Sequence, residues 1–237
     1  MLGLAWSFFS PLLMLAIYTF VFSVVFKSSW TGSGSNSSTT EFALLVFVGM
    51  IVHGLFSEVL TRAPGIILIN VNYVKKVIFP LEILPAVALG AALFHCLVSL
   101  VVLLAAFLLF NGYVQWTIFF VPIVFLPLVI LTLGCAWILG SLGVFLRDIG
   151  QMMGLVTTVL MFLSPVFFPV TSLPEAYRPW MMANPLTFII EQSRDVLIWG
   201  NVPDWRGLGL YTLAASFIAW GGYAWFQKTR NGFSDVL

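Results

Sequence analysis

The sequence predicts an all-α membrane protein of six transmembrane helices, with short re-entrant helices between spans five and six. Of its 237 residues, 61% are hydrophobic and only 8% are charged, against about 45–50% and about 25% in an ordinary soluble domain. The charges leave long gaps: residues 1–26, 42–57, 83–146, 149–174 and 207–227 contain no Asp, Glu, Lys or Arg. About 20 apolar residues cross the hydrocarbon core of a bilayer, so each gap is long enough, or nearly so, for a span. Repeated prolines between residues 165 and 203 interrupt the pattern once, and that is where re-entrant helices are expected.

Span one runs from about Leu4 to Phe26 and ends at Lys27. It lacks a basic n-region and stays apolar past the usual length of a signal peptide, so it reads as a span rather than a cleaved leader. The Ser/Thr/Gly-rich residues 28–40 form a surface loop. Span two covers about Phe42 to Leu60 and leads into a polar, basic connection from Thr61 to Ile78. The 64-residue gap at 83–146 is too long for one helix, and Asn111-Gly112 is its strongest turn signal. That turn divides it into span three, about Phe79 to Phe110, and span four, about Trp116 to Leu146. Arg147-Asp148 closes span four, span five follows from about Ile149 to Phe168, and span six runs from about Leu208 to Phe226.

Between spans five and six, Pro165, Pro169, Pro174, Pro179, Pro185 and Pro203 prevent a continuous helix, yet Phe, Trp and Met make the stretch too apolar for a free loop. Short helices that dip into the membrane face and return satisfy both constraints, because irregular backbone at that depth must be packed in protein or beside water. Six spans put both termini on the same side as the 61–78 connection. That side carries Arg62, Lys75, Lys76, Arg147, Lys228 and Arg230, and the other carries Lys27, Arg178, Arg194 and Arg206. The excess of basic residues places the termini in the cytoplasm.

The composition also argues against several chemistries. A net charge of +1 gives no footprint for nucleic acid. Cys96 and Cys135 sit in apolar runs as small hydrophobes, and His53 and His95 read as helix-packing groups in different segments, so no catalytic or metal-ligating cluster emerges. Glu58 and Glu82 lie near Arg62 and Lys75/Lys76 at the ends of their segments, which predicts a salt-bridged interfacial face rather than mid-membrane ion coupling. No Gly-Lys dipeptide occurs, so the phosphate loop is absent and any ATP must be bound by another chain. Gly150 and Gly154 match the small-x-x-x-small pattern of close helix contact, a weak signal in a chain with 19 glycines.

Aromatic residues make up 16% of the chain. Interface anchoring accounts for Trp30, Trp116, Trp180, Trp199 and Trp205. For Trp6, Phe9, Tyr18, Phe162, Phe167 and Phe168 two roles stay open: anchoring, or lining a channel whose rings stack on sugars.

The order of motifs resembles the type-2 ABC exporter permeases, in their polysaccharide-export branch. Leu2-Gly3-Leu4-Ala5-Trp6-Ser7-Phe8-Phe9-Ser10-Pro11-Leu12-Leu13 and Tyr18 to Ser23 are similar to that family's first span. Residues Asn72-Tyr73-Val74-Lys75-Lys76-Val77-Ile78-Phe79-Pro80-Leu81-Glu82-Ile83-Leu84-Pro85 resemble its connection between spans two and three. Phe145 to Ile149, Ser164-Pro165-Val166-Phe167-Phe168, Asn184-Pro185 and the terminal Gly232 to Leu237 fit as well.

The resemblance implies a single permease domain over 1–237, acting as a homodimer with two copies of a separate cytoplasmic ATPase subunit that holds ATP and Mg. The cargo it implies is a lipid-linked glycan such as O-antigen, capsule or teichoic acid, exported across the bacterial inner membrane. This chain would need no cofactor of its own and would not be an enzyme. ATPase coupling would fall to Arg62, Asn70, Asn72, Tyr73, Lys75 and Lys76 of the 61–78 connection, with Arg147, Asp148 and the C-terminal tail at the same face. The stretch 164–204 would be the outer re-entrant region, with Ser164, Pro165, Asn184 and Pro185 shaping the channel exit. Family members carry a basic amphipathic segment ahead of the Leu2 motif. A chain opening at Met1 is therefore expected to be truncated, to begin at a misassigned start, or to lack the cytoplasmic gate helix. Two rival readings are a type-2 permease for a drug, lipid or lipo-oligosaccharide, and a membrane glycosyl or acyl transferase, which the missing catalytic cluster disfavours. A third is a purely structural assembly subunit.

Overall fold

The computed structural model describes residues 3–21, 39–75 and 79–236. All regular structure among them is helical. The chain runs through α1 (Gly3–Thr19), α2 (Thr39–Arg62), α3 (Ile66–Ile69), α4 (Val71–Lys75), α5 (Ile83–Asn111), α6 (Val121–Phe145) and α7 (Ile149–Phe162). It continues through α8 (Arg178–Met182), α9 (Pro185–Arg194), a π-helical turn at Asp195–Trp199, α10 (Trp205–Thr229) and α11 (Phe233–Val236).

Three apolar helical stretches, Glu41–Ile69, Ile83–Asn111 and Trp116–Phe145, are long enough to cross a membrane. At about 1.5 Å per residue, 29 or 30 residues exceed the roughly 30 Å hydrocarbon core with room for tilt. The apolar helices Trp6–Thr19 and Ile149–Phe162 are shorter, and α10 has 25 residues. Large apolar side chains stand exposed along the helices, including Leu97 and Leu109 of α5, Leu155 of α7 and Leu213, Phe217 and Trp220 of α10. Apolar surface this extensive is what lipid, not water, covers.

The helix ends follow local chemistry. Helix α5 stops at the predicted turn, where Gly112 takes the left-handed φ of 74° and its N–H donates to the Leu108 carbonyl at 2.9 Å. Helix α7, where span five is expected, ends sooner than its apolar run suggests, at Phe162. Pro165 has no N–H to continue the ladder and restricts Ser164 before it, while the Ser164 hydroxyl turns back to the Met161 carbonyl at 3.0 Å. Helix α10, where span six is expected, starts earlier than its apolar run because Asp204 caps it, accepting from the Arg206 N–H at 3.1 Å. The 61–78 connection differs from a plain polar loop. A 3-10 turn at Ala63–Gly65 and the short α3 and α4 fill its described part, since the Ile66–Ile69 run has an apolar side to bury and Ile67 is fully buried.

The helices group into two compact units. One comprises the chain up to His53 with Phe94–Val121 and Met161–Pro203. Its core includes Phe42–Val48 of α2, Leu103 of α5, Val166, and Leu186, Ile189 and Ile190 of α9. The other comprises Gly54–Leu93, Pro122–Leu160 and Asp204 onward. There α6 and α10 meet backbone to backbone: a Cβ at Gly134 would fall 2.7 Å from the Ala219 Cα, and one at Gly222 would collide with the Gly134 carbonyl. Small residues permit so close an approach.

Candidate functional site

In the second unit, the connection, the start of α5, the end of α6 and the C-terminal tail converge on one apolar cluster. Ile67, Leu81, Leu84, Val144, Phe226 and Phe233 form it, with Ile66, Phe79 and Trp137 packed against it. The connection enters along α6, where Gly143 lies so close to Pro64 that any Cβ would overlap the proline carbonyl. Just past it stands Glu82, whose backbone carbonyl accepts from Trp137 Nε1–H at 3.0 Å and whose carboxylate pairs with Arg230 at 3.4 Å. Ser141 and Thr229 share a hydrogen bond of 2.7 Å, tying α6 to the end of α10.

Around this cluster the predicted coupling residues take distinct places. Arg62 pairs with Glu58 at 2.8 Å and keeps half of its side chain exposed. The interfacial ion pairing read for Glu58 therefore forms, whereas Glu82 finds its partner in Arg230, far along the chain. Asn70 donates from Nδ2 to the Ile66 carbonyl at 2.8 Å, which caps the end of α3, and its own carbonyl accepts from the Tyr73 N–H at 2.9 Å. Tyr73 stacks on Phe79 at 4.8 Å while remaining partly exposed; Asn72, Arg147 and Asp148 are exposed. Lys75 ends α4, and Lys76 lies outside the described residues. Ile69, 84% exposed, projects beside them, an apolar knob that the charge pattern did not single out.

The outer candidates gather in the first unit. Asn184 caps α9, its Oδ1 accepting from the Leu186 N–H at 2.9 Å, with Pro185 in the first helical position. Its Nδ2 donates to the Leu163 carbonyl at 3.1 Å, so Asn184-Pro185 and Ser164-Pro165, 20 residues apart, are brought to one place. Arg194 is the residue that sequence reasoning misplaced. Counted among the outer loop charges, it is 0% exposed. Its Nε donates to the Leu45 carbonyl of α2 at 3.1 Å and its Nη2 to the Val166 carbonyl at 2.9 Å. Burial pushes the guanidinium down to about 9, against the pull of the Glu191 carboxylate, and so leaves it a cation at neutral pH. The signal for this role was faint: a lone basic residue one turn after Glu191, in a helix whose buried side mixes Leu186, Ile189 and Ile190 with Thr187, Gln192 and Ser193.

The candidate aromatics pair within short stretches. Trp6 and Phe9 lie 5.5 Å apart on α1, both exposed, and Tyr18 is half-buried. Phe162 and Phe167 lie 6.1 Å apart. Phe162 and Phe168 also wall a cavity of about 350 Å3, joined by Tyr177 and Trp180. Trp180, an interface anchor by sequence, thus shares this cavity with Tyr177, which no sequence pattern singles out. Among the described residues, no three His, Cys, Asp or Glu side chains assemble as a metal site.

Residues 1–198 match the ABC-2 type transporter family. The chain belongs to that family. The ABC-2 match takes in the connection, the Arg147-Asp148 turn and the whole outer cluster around Asn184 and Arg194. The chain is similar along its whole length to the O-antigen export system permease protein RfbA of Myxococcus xanthus, at 24% identity over 238 residues and 88% of that protein. A Klebsiella pneumoniae protein of the same name is 22% identical, again over all of this chain and 88% of the relative. The polysialic acid transport protein KpsM of Escherichia coli is 24% identical over 92% of this chain and 83% of its own. As an ABC-2 member the chain is an integral membrane protein and a membrane subunit of a transporter.

Proposed function

We propose that this chain is the permease subunit of an ATP-driven exporter that carries a lipid-linked, O-antigen-like polysaccharide across the bacterial inner membrane. The observation that carries the reading is likeness over the full chain to permeases named for O-antigen export and polysialic acid transport. Two copies, each of six spans with both termini cytoplasmic, enclose the channel. A separate ATPase subunit holds ATP and Mg and docks on the 61–78 connection, with Arg62, Asn70, Asn72, Tyr73, Lys75 and Lys76 at the contact and Arg147 and Asp148 beside it. The stretch 164–204 forms the outer re-entrant region, where Ser164, Pro165, Asn184 and Pro185 set the turns.

The physical need is plain: a hydroxyl-rich glycan cannot cross about 30 Å of hydrocarbon unaided. Phe162, Phe167 and Phe168, with Trp6, Phe9 and Tyr18, offer ring faces on which sugars stack as the chain passes. The test is gentle purification from native membranes followed by mass spectrometry of whatever accompanies the chain. A soluble protein bearing Gly-x-x-x-x-Gly-Lys-Ser/Thr, at about one copy per permease, is the expected result, together with loss of surface glycan when this gene is deleted. Absence of any ATPase even after crosslinking, or an unchanged surface glycan, overturns the reading.

A further inference from the structure

Helix α6 holds the chain near the start of the 61–78 connection, through Gly143 against Pro64, and just past its end, through Trp137 to the Glu82 carbonyl. The middle of the connection rests on something else. Helix α11, at the C-terminal end of the chain, packs against α4. Phe233 is 0% exposed, set edge-on to Phe226 at 5.6 Å and tilted against Phe145 at 5.9 Å, in the same apolar cluster as Ile67 of α3. One turn earlier, Arg230 reaches the Glu82 carboxylate at 3.4 Å. Helices of four and five residues have no stability of their own, so α3 and α4 keep their shape only through packing.

We infer that the segment Arg230–Val236 is a strut for the coupling connection: Phe233 and the Arg230–Glu82 pair set the position in which α4 is presented to the ATPase subunit. Phe233 is thus a positioning residue that acts through α3 and α4. The docking half of this inference rests on the function proposed above, whereas the strut itself does not. The strut also explains why so apolar a side chain sits beyond the last long helix, in a tail that carries Arg230 and Asp235.

The experiment uses the full chain in lipid nanodiscs, with and without its co-expressed ATPase subunit, and limited trypsin digestion. Cleavage after Arg62, Lys75 and Lys76 reports the connection, and cleavage after the exposed Arg206, which Gly207 follows, is the internal reference. Phe233→Ala is expected to speed cleavage of the connection about ten-fold with cleavage after Arg206 unchanged, since local opening sets the rate of cutting. Arg230→Glu and Glu82→Arg each speed it two- to three-fold, roughly, and the double exchange returns it towards wild type, as a direct pair requires. Phe233→Ala also retains at least about five-fold less ATPase subunit, by the same linkage between order and binding. Unchanged cleavage of the connection overturns the strut. Should Phe233→Ala accelerate cutting everywhere through general unfolding, the charge exchange decides, and failure of the double variant to restore protection overturns it. A loosened connection with full ATPase retention overturns the docking half. A wild-type chain that binds no ATPase subunit overturns the transporter reading, while the cleavage rates still judge the strut.

Discussion

Replacing Arg194 by Met tests whether a buried cation holds the outer region together. The substitution keeps an unbranched side chain of similar reach and removes the charge and its donors. Two hydrogen bonds from a charged group are lost, to the Leu45 and Val166 carbonyls, worth about 1.5–3 kcal/mol each. Against that, the variant is released from keeping a guanidinium out of water, a penalty of several kcal/mol for a buried ion. The two sums nearly cancel, so the net effect is decided by what is left behind. The Leu45 carbonyl lies inside α2, where a helical bond still serves it, but Val166 sits in a turn, and its buried carbonyl loses the Arg194 donor. An orphaned buried acceptor costs about 1–3 kcal/mol. At about 2–4 °C per kcal/mol for a chain of this size, the purified variant should melt some 2–12 °C below wild type in the same detergent, followed by tryptophan fluorescence. A melting temperature equal to or above wild type refutes the reasoning. It would mean that desolvation outweighs both bonds and that Asn184 and apolar packing fix the outer turn without help from Arg194.

Three further outcomes are expected. Gly143→Ala drives a Cβ into the Pro64 carbonyl and should cost about 1–3 kcal/mol, the usual penalty of overpacking; Gly154→Ala, with nothing within 4 Å, should be neutral or stabilise by about 0.5–1 kcal/mol, and the pair of melting temperatures checks both. Asn184→Ala removes the α9 cap and the bond to Leu163 together and should cost about 1–2 kcal/mol; Asn184→Asp keeps the cap, loses the donor and should recover roughly half of that loss in the same assay. Reversing Lys75 and Lys76 together to Glu should cut the co-purified ATPase subunit several-fold while the amount of permease in the membrane is unchanged, because rim charges tune association more than folding; equal recovery of the partner would remove the two lysines from the docking face.

Much of the helical plan was legible because apolar runs and turn residues agree. Asn111-Gly112, Arg147-Asp148 and Asn184-Pro185 each stop or start a helix where the chain's chemistry says they should. The misjudged boundaries share one cause: hydropathy is nearly flat across them. Phe162 to Phe168 reads as more span, and only the missing N–H of Pro165 and the back-turned Ser164 hydroxyl end the helix. The 61–78 connection looked polar by its charges, yet the Ile66–Ile69 run inside it buries Ile67 and folds into short helices. Long-range pairing was out of reach altogether. Nothing near Glu82 in the sequence points to Arg230, and nothing near Arg194 points to Leu45, because both pairings depend on how separate helices pack.

That failure has a physical pattern. In a chain with so few charges, polar groups cannot be spent on the surface at random, and those that enter the fold go where backbone is left unsatisfied. Arg194 donates to the Val166 carbonyl in a turn, Asn184 donates to the Leu163 carbonyl just past α7 and accepts from the Leu186 N–H, and Trp137 donates to the Glu82 carbonyl just before α5 begins. Each serves a helix end or a break, the places where a membrane gives no water to complete hydrogen bonds. The apolar runs therefore set the number and length of helices, while a handful of polar side chains sets where their ends meet. It follows that residues such as Arg194 and Glu82 deserve the first substitutions in such a chain, ahead of the more numerous aromatics, since an exposed Trp or Phe has lipid as a ready substitute partner and an unsatisfied carbonyl has none.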